Sequence, residues 1–333
     1  MTQQATKPAS DYGRLLAEIQ SAKLLDRSVL LYLPRLFVML GMVGGGLLLL
    51  DRLGNSWWQL LVAAYFGVVF AQIGFLGHDA GHQQIFRSRR ANDRLGMLLA
   101  NICVGLSYSW WVDKHNRHHR NPNEVGRDPD VERNILAWTS TQAESQRGVF
   151  RVVARHQAVL FFPLLLLEAW NLHVGSVRAL LTDRRRRLVE LPLLALHLVL
   201  PVTVLVLVMS PLKALAFVAI QQSLFGLYLG CSFAPNHKGM PIVTEEDQLD
   251  FLRRQVLTSR NIAGGRFVTA VFGGLNYQIE HHLFPSMPSR NLRRCRLIVK
   301  SFCASHEVDY REASVVGSYV QALRYLQTIR PAT

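Results

Sequence analysis

Charge is scarce in this chain. Of its 333 residues 18% are charged, and acidic residues are the rarer sign, 23 against 37 basic. Half of the residues are hydrophobic, and they gather into long runs. That pattern excludes an ordinary soluble globule and points to a membrane protein. Cysteine is equally thin: Cys103, Cys231, Cys295 and Cys303 form no CxxC pair. A disulfide framework, a zinc ribbon and a ferredoxin-like cluster are therefore not indicated, and the four read as free thiols in a reducing compartment. No glycine cluster carries a nucleotide signature; Gly41 and Gly44–Gly46 read as close helix packing and Gly264-Gly265 as a turn. Bound NAD(P), flavin or haem is not expected. Internal repeats and low-complexity segments are also missing. Residues 1–27 are too polar for a signal peptide, so the first apolar run reads as an uncleaved span.

Four runs are long enough to cross a bilayer: Leu30–Leu50, Trp57–Leu76, Leu191–Met209 and Leu212–Phe233. They form two tight hairpins, joined by Asp51–Ser56 and by Ser210–Pro211, so each hairpin starts and ends on one side. Lys and Arg number 4 in residues 1–27, 17 in 77–190 and 13 in 234–333, whereas the hairpin tips hold only Arg52 and Lys213. The positive-inside rule then makes both termini and the central loop cytoplasmic. The basic run Arg184–Arg187 serves topology and anionic headgroups. No nucleic-acid motif accompanies it, so no nucleic-acid partner is expected.

The shorter apolar stretches Leu95–Trp111 and Gln157–Trp170 are read as lying in or under the cytoplasmic interface. Tyr12–Leu25, with Leu15, Leu16, Ile19 and Leu24 at helical spacing, is read as another interfacial helix. The expected architecture is an all-α integral membrane protein of one domain. It has an N-terminal interfacial helix (1–27), hairpin one (28–77), a cap segment (78–190), hairpin two (191–233) and a second cap segment (234–333).

Seven of the twelve histidines fall in three groups: His78 and His82; His115, His118 and His119; and His281 and His282, preceded by Gln278. Residues three or four apart share a helix face, so each group offers two or three ligand atoms to one point. Imidazole suits iron, zinc, copper or nickel. Seven imidazoles are too many for one ion, and two metals held between several helices is the economical solution. A wet, polar face explains one H-x3-H pair but not three clusters beside the ends of apolar segments on one side.

These spacings, H-x3-H, H-x2-HH and Q-x2-HH around two membrane hairpins, resemble the membrane fatty acid desaturase and hydroxylase superfamily. Further stretches that carry the resemblance are Gly77–His82, Asn116–His119 with Asn121–Asn123, Asp128–Asp130, Gln255–Asn261 and Asn276–Pro285. The similarity covers roughly residues 28 to 312. It implies two iron ions, molecular oxygen as oxidant and an acyl chain as substrate, carried on CoA, ACP or a lipid. It also implies a further ligand after the last span, where His237 stands, and leaves Gln278 as a direct ligand or a binder of a metal-bound water. His156, His173, His197 and His306 match no box and read as ordinary hydrogen-bonded histidines.

Carboxylates should orient the ligating imidazoles, and Asp79, Asp128, Asp130 and Glu280 are the candidates. Trp110, Trp111, Tyr277 and Phe284 are candidate walls of an acyl channel, or else interface anchors. The Q-x2-HH box resembles front-end and related bacterial acyl-lipid enzymes, which suggests a bacterial plasma membrane. The sequence contains no HPGG haem-binding motif, so electrons are expected from a separate protein docking on the Arg-rich face. Desaturation is favoured over hydroxylation or ketolation at the same site, which the pattern leaves open. An intramembrane zinc protease, suggested by His78-Asp-Ala-Gly-His82, would leave most clusters unexplained because one catalytic zinc takes three protein ligands. A metal transporter would place its ligands within the spans.

Overall fold

The computed structural model describes residues 10–132 and 135–331. In chain order the helices are α1 Asp11–Ser21, α2 Leu33–Leu53, α3 Gln59–Gly81, α4 Arg89–Met97, α5 Tyr108–Arg120 and α6 Ser140–Ser145. They continue with α7 Gly148–Arg155, α8 Gln157–Leu165, α9 Glu168–Thr182, α10 Arg184–Val208 and α11 Pro211–His237. The last five are α12 Phe251–Leu257, α13 Arg266–Val271, α14 Gln278–Leu283, α15 Leu292–Ser305 and α16 Val315–Thr328. Two three-residue strands, β1 Asn261–Ala263 and β2 Glu312–Ser314, pair in parallel.

Among the described residues four helices are long and apolar enough to cross a membrane: α2, α3, α10 and α11. Their burial sorts them. The most apolar stretches of α3 and α11 are 56% and 39% buried, against 17% for α2 and for α10. The inner pair is therefore α3 and α11, with the outer helices turning Phe37, Leu40, Leu198 and Leu207 outward. Water gives no stable home to such a belt, and a lipid bilayer does. Gln59 closes the first hairpin by donating to the carbonyls of Leu50 (2.7 Å) and Gly54 (2.9 Å), which lack helical partners at the end of α2. Asn55 ties the two tips together, accepting from the Ser210 amide and from Lys213 Nζ. Both hairpins thus point the same way.

The two shorter apolar stretches are sharply broken. The helix through α4 and its π-helical continuation Leu98–Val104 turns by 109° into α5, and α7 turns by 105° into α8. The first break would strand backbone carbonyls in an apolar setting. His197 Nδ1 donates to Ile102 O (2.8 Å) and His173 Nδ1 to Gly105 O (2.7 Å), which satisfies them. Glu190 on α10 then holds the start of α5, accepting from Asn101 Nδ2, Ser107 Oγ and Ser109 Oγ.

Helices α9 and α11 touch through Gly226. A Cβ there would lie 2.6 Å from Ala169 N and 2.8 Å from Leu165 O, both backbone atoms that cannot yield. Gly226→Ala should lower stability by roughly 1–3 kcal/mol, seen as a fall in melting temperature in detergent. An unchanged melting temperature would mean that the helices separate at no cost.

Beyond the hairpins lies a cap. Helix α1 packs its apolar stripe on the cap: Leu15 and Ile19 are fully buried against α12 and α15, in a core with Val256, Ile279, Cys295 and Val299. Its apolar stripe has the same spacing an interfacial helix would have, and tertiary packing claims it. The spans also differ at their ends from the sequence reading. Asp183 caps α10 by accepting from the amides of Arg185 and Arg186, so the Arg184–Arg187 run forms its first turn. Helices α3 and α11 continue past their apolar stretches to carry His78 and His237.

Candidate metal centre

Four helices deliver the histidines. The end of α3 supplies His78 and His82, α5 supplies His115, His118 and His119, α11 supplies His237, and α14 supplies His281 and His282. They sort into two groups whose nitrogens lie within 4.8 Å of one another: His78, His82, His115, His119 and His281 in one, and His118, His237 and His282 in the other. Seven are buried and His115 is half-buried. The neighbours His118 and His119 part company, one to each group, because adjacent helix residues face about 100° apart.

In the second group each imidazole is oriented from behind. His118 Nδ1 donates to Asp128 at 2.9 and 3.0 Å, His237 Nδ1 to Thr258 O at 3.1 Å, and His282 Nδ1 to Gln255 Oε1 at 3.0 Å. Each bond places the proton on Nδ1 and leaves Nε2 as a lone pair facing inward. Asp128 is itself fixed by the amides of Asn123 and Asp130. Gln255 also donates to His119 O, joining box two to box three. Gln278 stands beside this group, its Nε2 3.0 Å from His237 Nε2 and its Oε1 accepting from Asn236.

In the first group the nitrogens crowd together. His115 Nε2 lies 3.1 Å from the Nε2 atoms of both His78 and His119. Among the described residues His82 Nε2, His119 Nδ1 and both nitrogens of His281 have no hydrogen-bond partner, nor has His282 Nε2 in the second group. Orphaned buried polar atoms are costly, and several aimed at one point fit a bound cation. Burial first, and the neighbouring imidazoles second, hold His115, His119, His281 and His282 well below the ordinary histidine range. A lowered value favours the neutral imidazole, the form able to bind a metal ion. Burial pulls His118 down as well, but Asp128 and Asp130 reverse the sign and raise it.

The other proposed carboxylates take different places. Asp79 lies 3.4 Å from His78 Nδ1 and is held by Arg35 (3.2 Å) and Ser289 Oγ (3.0 Å). Asp130 approaches His118 Nδ1 at 3.6 Å and pairs with Lys114. Glu280 faces away from the imidazoles: Asn261 Nδ2 and Tyr310 Oη donate to it, both at 2.7 Å. Spacing could not reveal this, since a residue next to a ligand lies on another helix face. Nor could it assign Gln255, Thr258 or Arg260 a role, although all three lie in the Gln255–Asn261 run.

Glu280 gives a pH test. Burial pushes its carboxyl up to about 7 from 4.5, although its two donors pull it back. Between those values the folded chain binds the proton more tightly than the unfolded one. The associated stability is present below pH 4.5 and is lost as pH rises through about 7. Glu280→Gln should lack this slope, so the wild-type protein should lose up to about 3 kcal/mol relative to it between about pH 5 and pH 8. Melting curves of both proteins in detergent check this, and parallel curves would refute it.

A cavity of ≈ 470 Å³ runs along the histidines, with His78, His115, His118, His237 and Gln278 in its wall. Trp110 and Trp111 line it, whereas Tyr277 and Phe284 are buried in the core of the cap. Much of its wall is apolar, with Ala100, Val104, Leu106, Phe225 and Leu229 among its residues.

Comparison with known proteins agrees with this geometry. Residues 55–314 match the family model described as fatty acid desaturase. Among curated relatives, the Acyl-lipid (9-3)-desaturase of Physcomitrium patens is 30% identical over 82% of this chain and 54% of its own length. The Delta(8)-fatty-acid desaturase of Helianthus annuus is 30% identical over 83% of this chain and 63% of its own length. That of Euglena gracilis is 30% identical over 95% of this chain and 78% of its own. The chain therefore spans little more than half to four fifths of these relatives.

Proposed function

The chain belongs to the fatty acid desaturase family, and from that premise we propose that it inserts a double bond into a long acyl chain. Two iron ions and molecular oxygen would serve it, with electrons from a separate redox protein. The observation that carries this reading is the pair of histidine groups, with partnerless buried nitrogens on His82, His119, His281 and His282, beside a largely apolar cavity. Iron bound there supplies the oxygen activation needed to break unactivated C–H bonds. His78, His82, His115, His119 and His281 would hold one ion, and His118, His237 and His282 the other, with Gln278 beside it. Asp128, Thr258 O and Gln255 keep the second group's lone pairs aimed inward, and the apolar wall holds the chain and keeps water out.

The charge distribution supports a cytoplasmic site, and the Arg-rich cap supports an acidic electron donor. Of the carriers considered, a lipid-borne chain is favoured by the name of the Physcomitrium patens relative. The relatives are eukaryotic, so a bacterial membrane draws no support from them. A zinc protease needs three protein ligands and would leave five imidazoles idle. Fatty-acid methyl ester analysis of a host expressing the chain tests the reading. An oxygen-dependent unsaturated acid is the expected result. A hydroxy acid in its place would establish the hydroxylase alternative, and an unchanged profile would refute both.

A further inference from the structure

The cavity has a polar end that the histidines do not explain. Lys114 pairs with Asp130, and Lys238 Nζ donates to Asp130 O at 2.9 Å while lying over the Trp138 ring. Glu168, bonded to Asn171 at 3.3 Å, faces the same space. Ile135 lines the cavity and is also exposed, which marks the opening at this end. The lining thus combines a charged group near this opening with the histidines and apolar walls.

Two features single out Lys114. Its ammonium group has three donors and gives one to Asp130, so two remain for a ligand. Lys238 differs, because the Trp138 face and a carbonyl already claim it. Position matters too. Lys114 precedes His115 and lies one helical turn, about 5.4 Å, from His118. Anything it holds is kept within a few bonds of the metal ligands.

Charge tells what it holds. Lys114 and Lys238 are balanced by Asp130 and Glu168, and Glu132 adds a further negative charge at the rim. A free carboxylate or phosphate would meet net repulsion here, whereas a neutral carbonyl needs only a donor.

We propose that Lys114 is a specificity-determining residue whose ammonium group holds the carbonyl of an ester- or thioester-linked acyl chain at the mouth, setting which carbon lies beside the histidines. This rests on the acyl-chain reading above. The test is double-bond position, read by mass spectrometry of dimethyl disulfide adducts from cells expressing wild type, Lys114→Leu or Lys114→Gln, with metal content measured on the purified proteins. Wild type should give one isomer. The Leu variant should keep its metals, yield displaced isomers and require roughly ten- to a hundredfold more substrate. The Gln variant, which retains a donor, should be less affected. The same single isomer at wild-type yield from Lys114→Leu would overturn the proposal.

Wild type alone provides a check that does not depend on how the variants fold. With chains differing by two methylenes, the bond should stay at a constant distance from the carbonyl. Constancy from the methyl end would overturn the proposal. Brief labelling separates the carriers: the unsaturated chain should appear first in phospholipid or in acyl-CoA, and first appearance as free acid would also overturn it. Absence of any unsaturated product from wild type would overturn the functional reading, and this proposal with it.

Discussion

Replacing His118 with alanine should abolish the unsaturated product, a loss of well over a hundredfold, and cut bound metal from two ions per chain to one. The size follows from geometry. His118 is one of only three imidazoles in its group, and its Nε2 is aimed by the Asp128 carboxylate behind it. Loss of one ligand leaves two histidines, too few to retain an ion against water. Asp128→Ala should do less, roughly ten- to a hundredfold, because the imidazole survives but loses its orientation. His156→Ala, at the break between α7 and α8 and outside both groups, should leave activity intact. Metal analysis beside methyl ester profiles distinguishes these cases. Full metal content in the His118 variant would mean that the second group does not bind an ion.

Arg260→Met should give the largest loss of stability, about 3–5 kcal/mol, and should reduce metal binding with it. Arg260 is among the most deeply buried large side chains of the protein. Its guanidinium donates to the carbonyls of Pro235, Lys238 and Ser318 and to Gln321 Oε1. The first two carbonyls flank His237 at the end of α11, where helical partners run out. A single cation thus closes the helix that delivers His237 and ties it to α16. Burial lowers its basicity only to about 10, so it keeps its charge at neutral pH. Methionine fills similar space but leaves four acceptors unpaired. A melting temperature within a degree or two of wild type would refute this account.

How much of this was legible beforehand can be read from particular residues. His78 with His82, and His115 with His118 and His119, stood out because short-range helical spacing is written directly in sequence. Their division into groups of five and three was not, since it depends on the crossing of α3, α5, α11 and α14. Leu15 and Ile19 show the same limit: an apolar stripe declares that a helix will bury one face, but not whether lipid or protein covers it.

The chain by itself determined its membrane character, its two hairpins and the residue types of the candidate metal centre, because run length, charge placement and helical period are local properties. Only the tertiary structure decided which carboxylates and amides stand behind the imidazoles, and which aromatics reach the cavity. Asp128 bonds His118 while Glu280 turns to Tyr310, and Trp110 lines the cavity while Phe284 does not. Those outcomes depend on how separate segments pack, from Asp128 beyond the end of α5 to Phe284 against Tyr12 of α1, and no helical period encodes that packing.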